Sequence, residues 1–197
     1  MDFLKYFRKD LKLKNKVVDN PEPSSEQLHF AETVLNLVDP TVEKFGFMRI
    51  STNIRTYSTS IIYRKAEQYV KVSSTTYPTD YPYFFNITLG EGDSEDFLEY
   101  DWNSITICII KNSIEKIETN EFDFPYKDDV KPSIENAVAD LLKYGGTFLK
   151  GDMTLFREVR SQFNELREPY KIYSQDENGN YFTRIEPVSA VKKKKYS

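Results

Sequence analysis

Apolar residues recur at helical spacing just past residue 24. Leu28, Ala31, Val34, Leu35 and Val38 fall on one stripe. Ser24 followed by Gln27 forms a capping box, in which the hydroxyl and the side-chain amide each satisfy a free backbone N–H. Pro40 lacks a donor and clashes with the turn before it, so it predicts a break. The pattern predicts a second helical piece, Thr41 to Phe45, ending at Gly46 as C-terminal cap. The period then shortens. Met48–Asn53, Thr59–Arg64, Gln68–Ser74, Tyr83–Leu89 and Ser104–Lys111 are rich in β-branched and aromatic residues and read as strands. The short Lys65-Ala66-Glu67 link predicts a hairpin. Val70 and Val72 alternate with Tyr69, Lys71 and Ser73, which predicts one covered sheet face and one partly open face. Ile105 to Ile110 is continuously apolar and reads as a central strand.

Helical spacing returns after Pro132, a residue suited to a first turn. Ile134, Val138, Leu141 and Leu142 form its apolar face, and Gly145-Gly146 stops it. Asp152 caps a further helix with Leu155, Val159, Phe163 and Leu166 on its stripe, and Pro169 ends it. Lys171–Asp176 and Asn180–Glu186 flank Glu177-Asn178-Gly179. Asn-Gly tolerates positive φ, so a terminal hairpin is expected. Helix, then strands, then helices, then a hairpin is a segregated order. It predicts an α+β fold: an antiparallel sheet of about five strands covered by helices, with C-terminal helices and a terminal β-hairpin. At 197 residues the chain suits one domain, 17–186, with appendages. Residues 1–16 place Leu4, Phe7 and Leu11 among Lys and Arg, as in a basic amphipathic helix. Such a helix either lies on a membrane or partner, or docks on its own domain. Residues 187–197 end in Lys192 to Lys195 and read as a basic, disordered tail.

Charge changes this picture more than composition does. Six bases against Asp2 and Asp10 leave residues 1–16 at +4, and residues 184–197 also carry +4. The net charge of −4 then leaves −12 on residues 17–183. An acidic body repels phosphate, so nucleic acid is disfavoured as a partner. The start lacks the apolar core of a secretory signal, and no apolar run approaches the ~20 residues of a membrane span. The expectation is a cytoplasmic chain without an internal disulfide, because one Cys cannot pair within the chain.

Chemistry is sparse. Nucleophilic catalysis needs a nucleophile, a base and an orienting group. His29 is the sole imidazole, and Cys108 lies in the most apolar run, where a thiol is inert. Zinc sites of common type need more Cys and His than this. Glu91, Asp93, Glu95, Asp96, Glu99 and Asp101 form a base-free acidic segment, but without the ligand spacing of a calcium loop. Gly90-Glu91-Gly92 lacks the third Gly and the Lys of a phosphate loop and reads as a strand-ending turn. Neither a metal nor another cofactor is expected, and no enzyme activity is.

Two features stand above this background. Thr75 to Phe85, TTYPTDYPYFF, sets Tyr77, Tyr81 and Tyr83 around Pro78, Asp80 and Pro82. Prolines lower the entropy lost on binding, and Tyr supplies broad contact area with a polar tip. The acidic segment Glu91, Asp93, Glu95, Asp96 leads into Trp102. The candidate partner-binding residues are therefore Tyr77, Asp80, Tyr81, Tyr83, Glu91, Asp93, Glu95, Asp96 and Trp102.

Phe45-Gly46-Phe47, IIYRK (61–65), YVKV (69–72), YPTDYPYFFN (77–86) and ITLGEG (87–92) resemble a pattern in small bacterial α+β domains of unknown function. Some of those are grouped with immunity proteins of polymorphic toxin systems. The resemblance spans about a quarter of the chain and holds no catalytic motif. It implies a cytoplasmic protein that binds and blocks a cognate toxin; the acidic body, read separately, suits a basic toxin domain as that partner. The functional expectation is a non-enzymatic, immunity-like protein-binding module. The alternatives are a carboxylate-based enzyme or small-ligand binder, and a peripheral membrane or scaffold protein.

Overall fold

A computed structural model describes residues 22–92 and 103–166, and the backbone of two strands, 170–175 and 181–186. The amphipathic segment 1–16, the tail 187–197 and the hairpin turn 177–179 lie outside the described residues.

Helix α1 (Ser25–Leu37) starts as its capping pattern predicts: the Ser24 hydroxyl accepts from the Gln27 N–H at 3.2 Å. The other half of the box differs. The Gln27 side chain is fully buried and turned inward, where Oε1 accepts from the Thr59 and Ser74 hydroxyls at 2.7 and 2.8 Å. Its Nε2 donates to Thr76 Oγ1 at 3.0 Å. Two buried strand hydroxyls need an acceptor, and one amide oxygen with two lone pairs serves both. Pro40 sits in the first turn of α2 (Asp39–Glu43), where its missing N–H leaves no intrahelical bond unmade. Gly46 closes the segment at φ +85°.

Five strands follow as an antiparallel meander: β1 (Met48–Ile54), β2 (Ser58–Lys65), β3 (Gln68–Thr75), β4 (Phe84–Glu91) and β5 (Ser104–Thr106). A two-residue strand that the sequence pattern does not reveal, β6 (Phe122–Asp123), pairs with the start of β4. The register aligns Tyr63, Val70, Leu89 and Ile105 in one row and Ile61, Val72 and Ile87 in the next. This face carries the core with Phe30, Ala31 and Val34 of α1. Phe30 contacts Phe85 edge-on at 5.3 Å and Phe124 at 5.2 Å. Each such ring, fully buried, contributes about 1.5–3 kcal/mol.

The strand expected at Ser104–Lys111 is a correction. Only Ser104–Thr106 is extended; helix α3 (Ile107–Glu115) follows at once. A short apolar run does not distinguish the two states. Ile107 and Ile110 are buried three residues apart, as a helix places them, and the helix stops at Lys116 in the left-handed region. A 3-10 turn (Lys127–Asp129) leads into α4 (Val130–Tyr144), with Pro132 in its first turn. Val130, Ile134, Ala137, Leu141 and Tyr144 are buried, whereas Leu142 is 43% exposed, because it falls outside that stripe. Gly145 ends α4, and a single further turn, α5 (Gly146–Leu149), seats Phe148 against Phe156 at 4.9 Å. Helix α6 (Thr154–Glu165) begins where Asp152 Oδ1 accepts from the Thr154 N–H at 3.0 Å. Phe156 and Val159 reach the core, but Leu166, expected on the same stripe, lies past the helix end and is 86% exposed. Strands β7 (Tyr170–Gln175) and β8 (Tyr181–Glu186) pair antiparallel as a separate two-stranded sheet, as a terminal hairpin requires; the expected Asn178-Gly179 turn lies outside the described residues.

The architecture is thus α+β, with an open antiparallel sheet and helices sharing its core. The expected half-open sheet is a second correction. Ile62, Tyr69, Lys71, Ser73, Asn86 and Thr88, on the face away from α1, are buried as well. Exposure lies instead along β1 and at the ends of the strands.

Candidate functional site

The segment between β3 and β4 is anchored at its base and presented at its tip. Thr76 donates its N–H to the Tyr57 carbonyl at 2.8 Å, and its hydroxyl accepts from buried Gln27. Tyr77, Pro78, Thr79 and Asp80 form a β-turn closed by the Asp80 N–H on the Tyr77 carbonyl at 2.8 Å. Pro78 occupies the second position, where its fixed φ suits the turn. The Tyr81–Pro82 peptide is cis. The tip is aromatic and open: Tyr81 is 80% exposed, and Tyr57 and Tyr77 pack on each other with centroids 5.4 Å apart. Tyr81 meets Tyr83 edge-to-face at 5.5 Å.

A distant segment joins this surface. The Phe124 N–H donates to the Tyr83 carbonyl at 2.8 Å, and Phe124 holds Tyr126 edge-on at 5.3 Å. Tyr126 stays half exposed. Burial raises the Tyr126 hydroxyl above its ordinary pKa, and Tyr83, Glu26 and Tyr81 raise it further. Tyr83, Glu26 and Tyr81 therefore all bear electrostatically on Tyr126. The loop end is also acidic. Its segments carry Glu22, Glu26, Asp80, Asp123, Asp128 and Asp129 against Arg55 and Lys127. Glu22 belongs there because its carbonyl accepts from the Thr56 hydroxyl at 2.8 Å.

Of the expected partner-binding residues, Tyr77, Asp80, Tyr81 and Tyr83 share this end. Glu91 does not. It ends β4, seven residues past Phe84, which is about 23 Å along a strand. There its carboxylate takes Arg157 at 2.9 Å and Arg160 at 2.6 Å, tying α6 to the sheet. Burial alone would raise the Glu91 carboxyl, but the hydrogen bonds from Arg157 and Arg160 outweigh it and hold its pKa below the ordinary value. The Glu91 and Gly92 N–H groups are spent on the Asn103 and Glu67 carbonyls, as in a strand-ending turn. Asp93, Glu95, Asp96 and Trp102 lie outside the described residues.

Tyr57, Tyr126 and Glu26 belong to the surface without having been singled out in the sequence. A usable signal exists for one of them: Pro125-Tyr126-Lys127-Asp128-Asp129 repeats the Pro, Tyr and Asp composition of the first loop.

The remaining chemistry is plain. His29 is on the exterior of α1, with Nε2 3.3 Å from the Lys127 carbonyl. Burial pushes the Cys108 thiol up to about 11. Among the described residues, no group of three or more His, Cys, Asp and Glu is placed to hold a metal ion. None of their helices is long and apolar enough to cross a membrane. No protein-family model, curated protein or solved structure matches the chain.

Proposed function

We propose that this chain is a non-enzymatic protein-binding module that docks through the tyrosine surface at the loop end of its sheet. The observation that carries the reading is the grouping of Tyr57, Tyr77, Tyr81, Tyr83 and Tyr126 on one turn-braced, acidic end. Binding hot spots favour Tyr because a ring buries much area for two side-chain torsions. The loop is braced before it binds, so little ordering entropy is lost on docking. Neighbouring carboxylates speed encounter with a basic partner and disfavour acidic ones. The acidic end fits a basic partner, and the resemblance to immunity-type domains suggests a cognate toxin, blocked when its basic site is covered.

The test is photo-crosslinking in the source cell, with a photoreactive phenylalanine at position 81 and, as control, at Leu142. One discrete protein adduct at position 81 and none at 142 is expected. The same adducts at both positions, or none at either, would reject the reading.

A further inference from the structure

We propose that the partner anchors itself by an arginine, which enters between Tyr81, Tyr83 and Tyr126 and takes the Glu26 carboxylate as its counter-charge. The inference rests on the protein-binding reading above and names the group that surface receives.

The geometry is assembled from three separate stretches of chain. Tyr81 and Tyr83 meet at 86°, so their two ring planes stand at right angles. The Tyr83 backbone is fixed to Phe124, and Tyr126 stands edge-on against Phe124 at 78°. Phe124 in turn packs on Phe30 of α1 at 5.2 Å. Glu26 precedes Phe30 by four residues, one helical turn toward the N-terminus, and so comes up beside the same aromatic group. Its place in the first turn of α1 and its contact with the Ser25 hydroxyl at 3.1 Å keep it ionised. Three phenol rings and one carboxylate thus stand together on this exposed end, and none of the four carries a positive charge.

That chemistry selects its occupant. A cation is attracted to the ring faces, and the attraction grows as the rings shed water. Arginine suits this end better than lysine. Its guanidinium is flat and weakly hydrated, stacks on aromatic faces and still donates to a carboxylate from its edge. Phosphate groups and acidic side chains are repelled by the same arrangement.

The experiment uses the full chain with ring-13C tyrosine, followed by NMR. The probe is the peptide acetyl-Gly-Arg-Gly-Arg-Gly-amide; the control replaces both arginines with citrulline, which keeps the shape and loses the charge. Saturable shifts of the Tyr81, Tyr83 and Tyr126 rings are expected with the arginine peptide alone. Glu26→Gln and Tyr81→Ala should each weaken binding about three- to fivefold, the size of one exposed cation–π or charge contact. Both positions are exposed, and circular dichroism checks that both variants fold. Equal shifts with citrulline, shifts confined to other tyrosines, or unchanged binding in Glu26→Gln would each overturn the inference. If the arginine peptide fails while position 81 still crosslinks a protein, the anchor is wrong and the docking surface stands. If the peptide binds while nothing crosslinks, the tyrosine end takes arginine, but the protein-binding reading falls and the partner's anchor with it.

Discussion

Replacing Gln27 with Leu removes the acceptor shared by two buried hydroxyls. Thr59 is 1% exposed and Ser74 is 6% exposed, and both donate to Gln27 Oε1. Leucine keeps the volume and the helix propensity, so the perturbation is mainly polar. Each stranded hydroxyl costs about 1–3 kcal/mol, and the lost bond to Thr76 costs about 0.5–1.5 kcal/mol. The more apolar side chain returns about 1–2 kcal/mol of that. The net expectation is a loss of about 0.5–6.5 kcal/mol, centred near about 3.5 kcal/mol. Urea unfolding followed by far-ultraviolet circular dichroism measures it, with an unchanged denaturant slope showing that only stability moved. Thr59→Val supplies the internal check. It should cost stability in the native background and nearly nothing beside Gln27→Leu, with a coupling of about 1 kcal/mol or more. A Gln27→Leu change within about 0.5 kcal/mol of the native protein, or strict additivity with Thr59→Val, would refute the shared-acceptor argument.

Three further outcomes follow from single contacts. A Cβ at Gly90 would overlap the ring of Tyr69, which is 1% exposed, so Gly90→Ala should cost about 1–3 kcal/mol in thermal unfolding, and less beside Tyr69→Ala than alone. Glu91 has a folded pKa below its ordinary 4.5, so its ion pairs stabilise the fold above that pH and the gain is lost as pH falls through the folded value. Glu91→Gln should therefore lower the melting temperature at neutral pH, and the gap to the native protein should close as pH falls through the lowered pKa of the folded carboxyl. Cys108, with its thiol raised to about 11, should resist a disulfide thiol reagent in the native protein and react once urea unfolds it.

The segregated order of elements made the antiparallel fold legible, because each strand of the meander carries its own alternation and each turn its own chemistry. Ser24, Gly46 and Asp152 were legible for the same reason: the contacts that start or close a helix are local. What failed to read was set by tertiary packing. Ile105 to Ile110 satisfies either period, and the core around Ile107 and Ile110 decides for helix. Gln27 is drawn away from its own cap by hydroxyls 32 and 47 residues distant. The candidate surface was half legible. Tyr77, Asp80, Tyr81 and Tyr83 are neighbours in sequence, but Tyr126 reaches them only through the bond from Phe124 to Tyr83. Glu91 looked like part of an acidic run because its partners, Arg157 and Arg160, lie 66 and more residues away.

The central claim is that the exposed tyrosines are the docking surface. Its most direct measurement is calorimetric titration of the partner captured at position 81 with native protein, Tyr81→Ala and a control, Ile114→Ala, on α3. Tyr81→Ala should weaken binding by about 1–2 kcal/mol or more, while Ile114→Ala leaves it unchanged. Native affinity in Tyr81→Ala, with a loss in Ile114→Ala, would contradict the account.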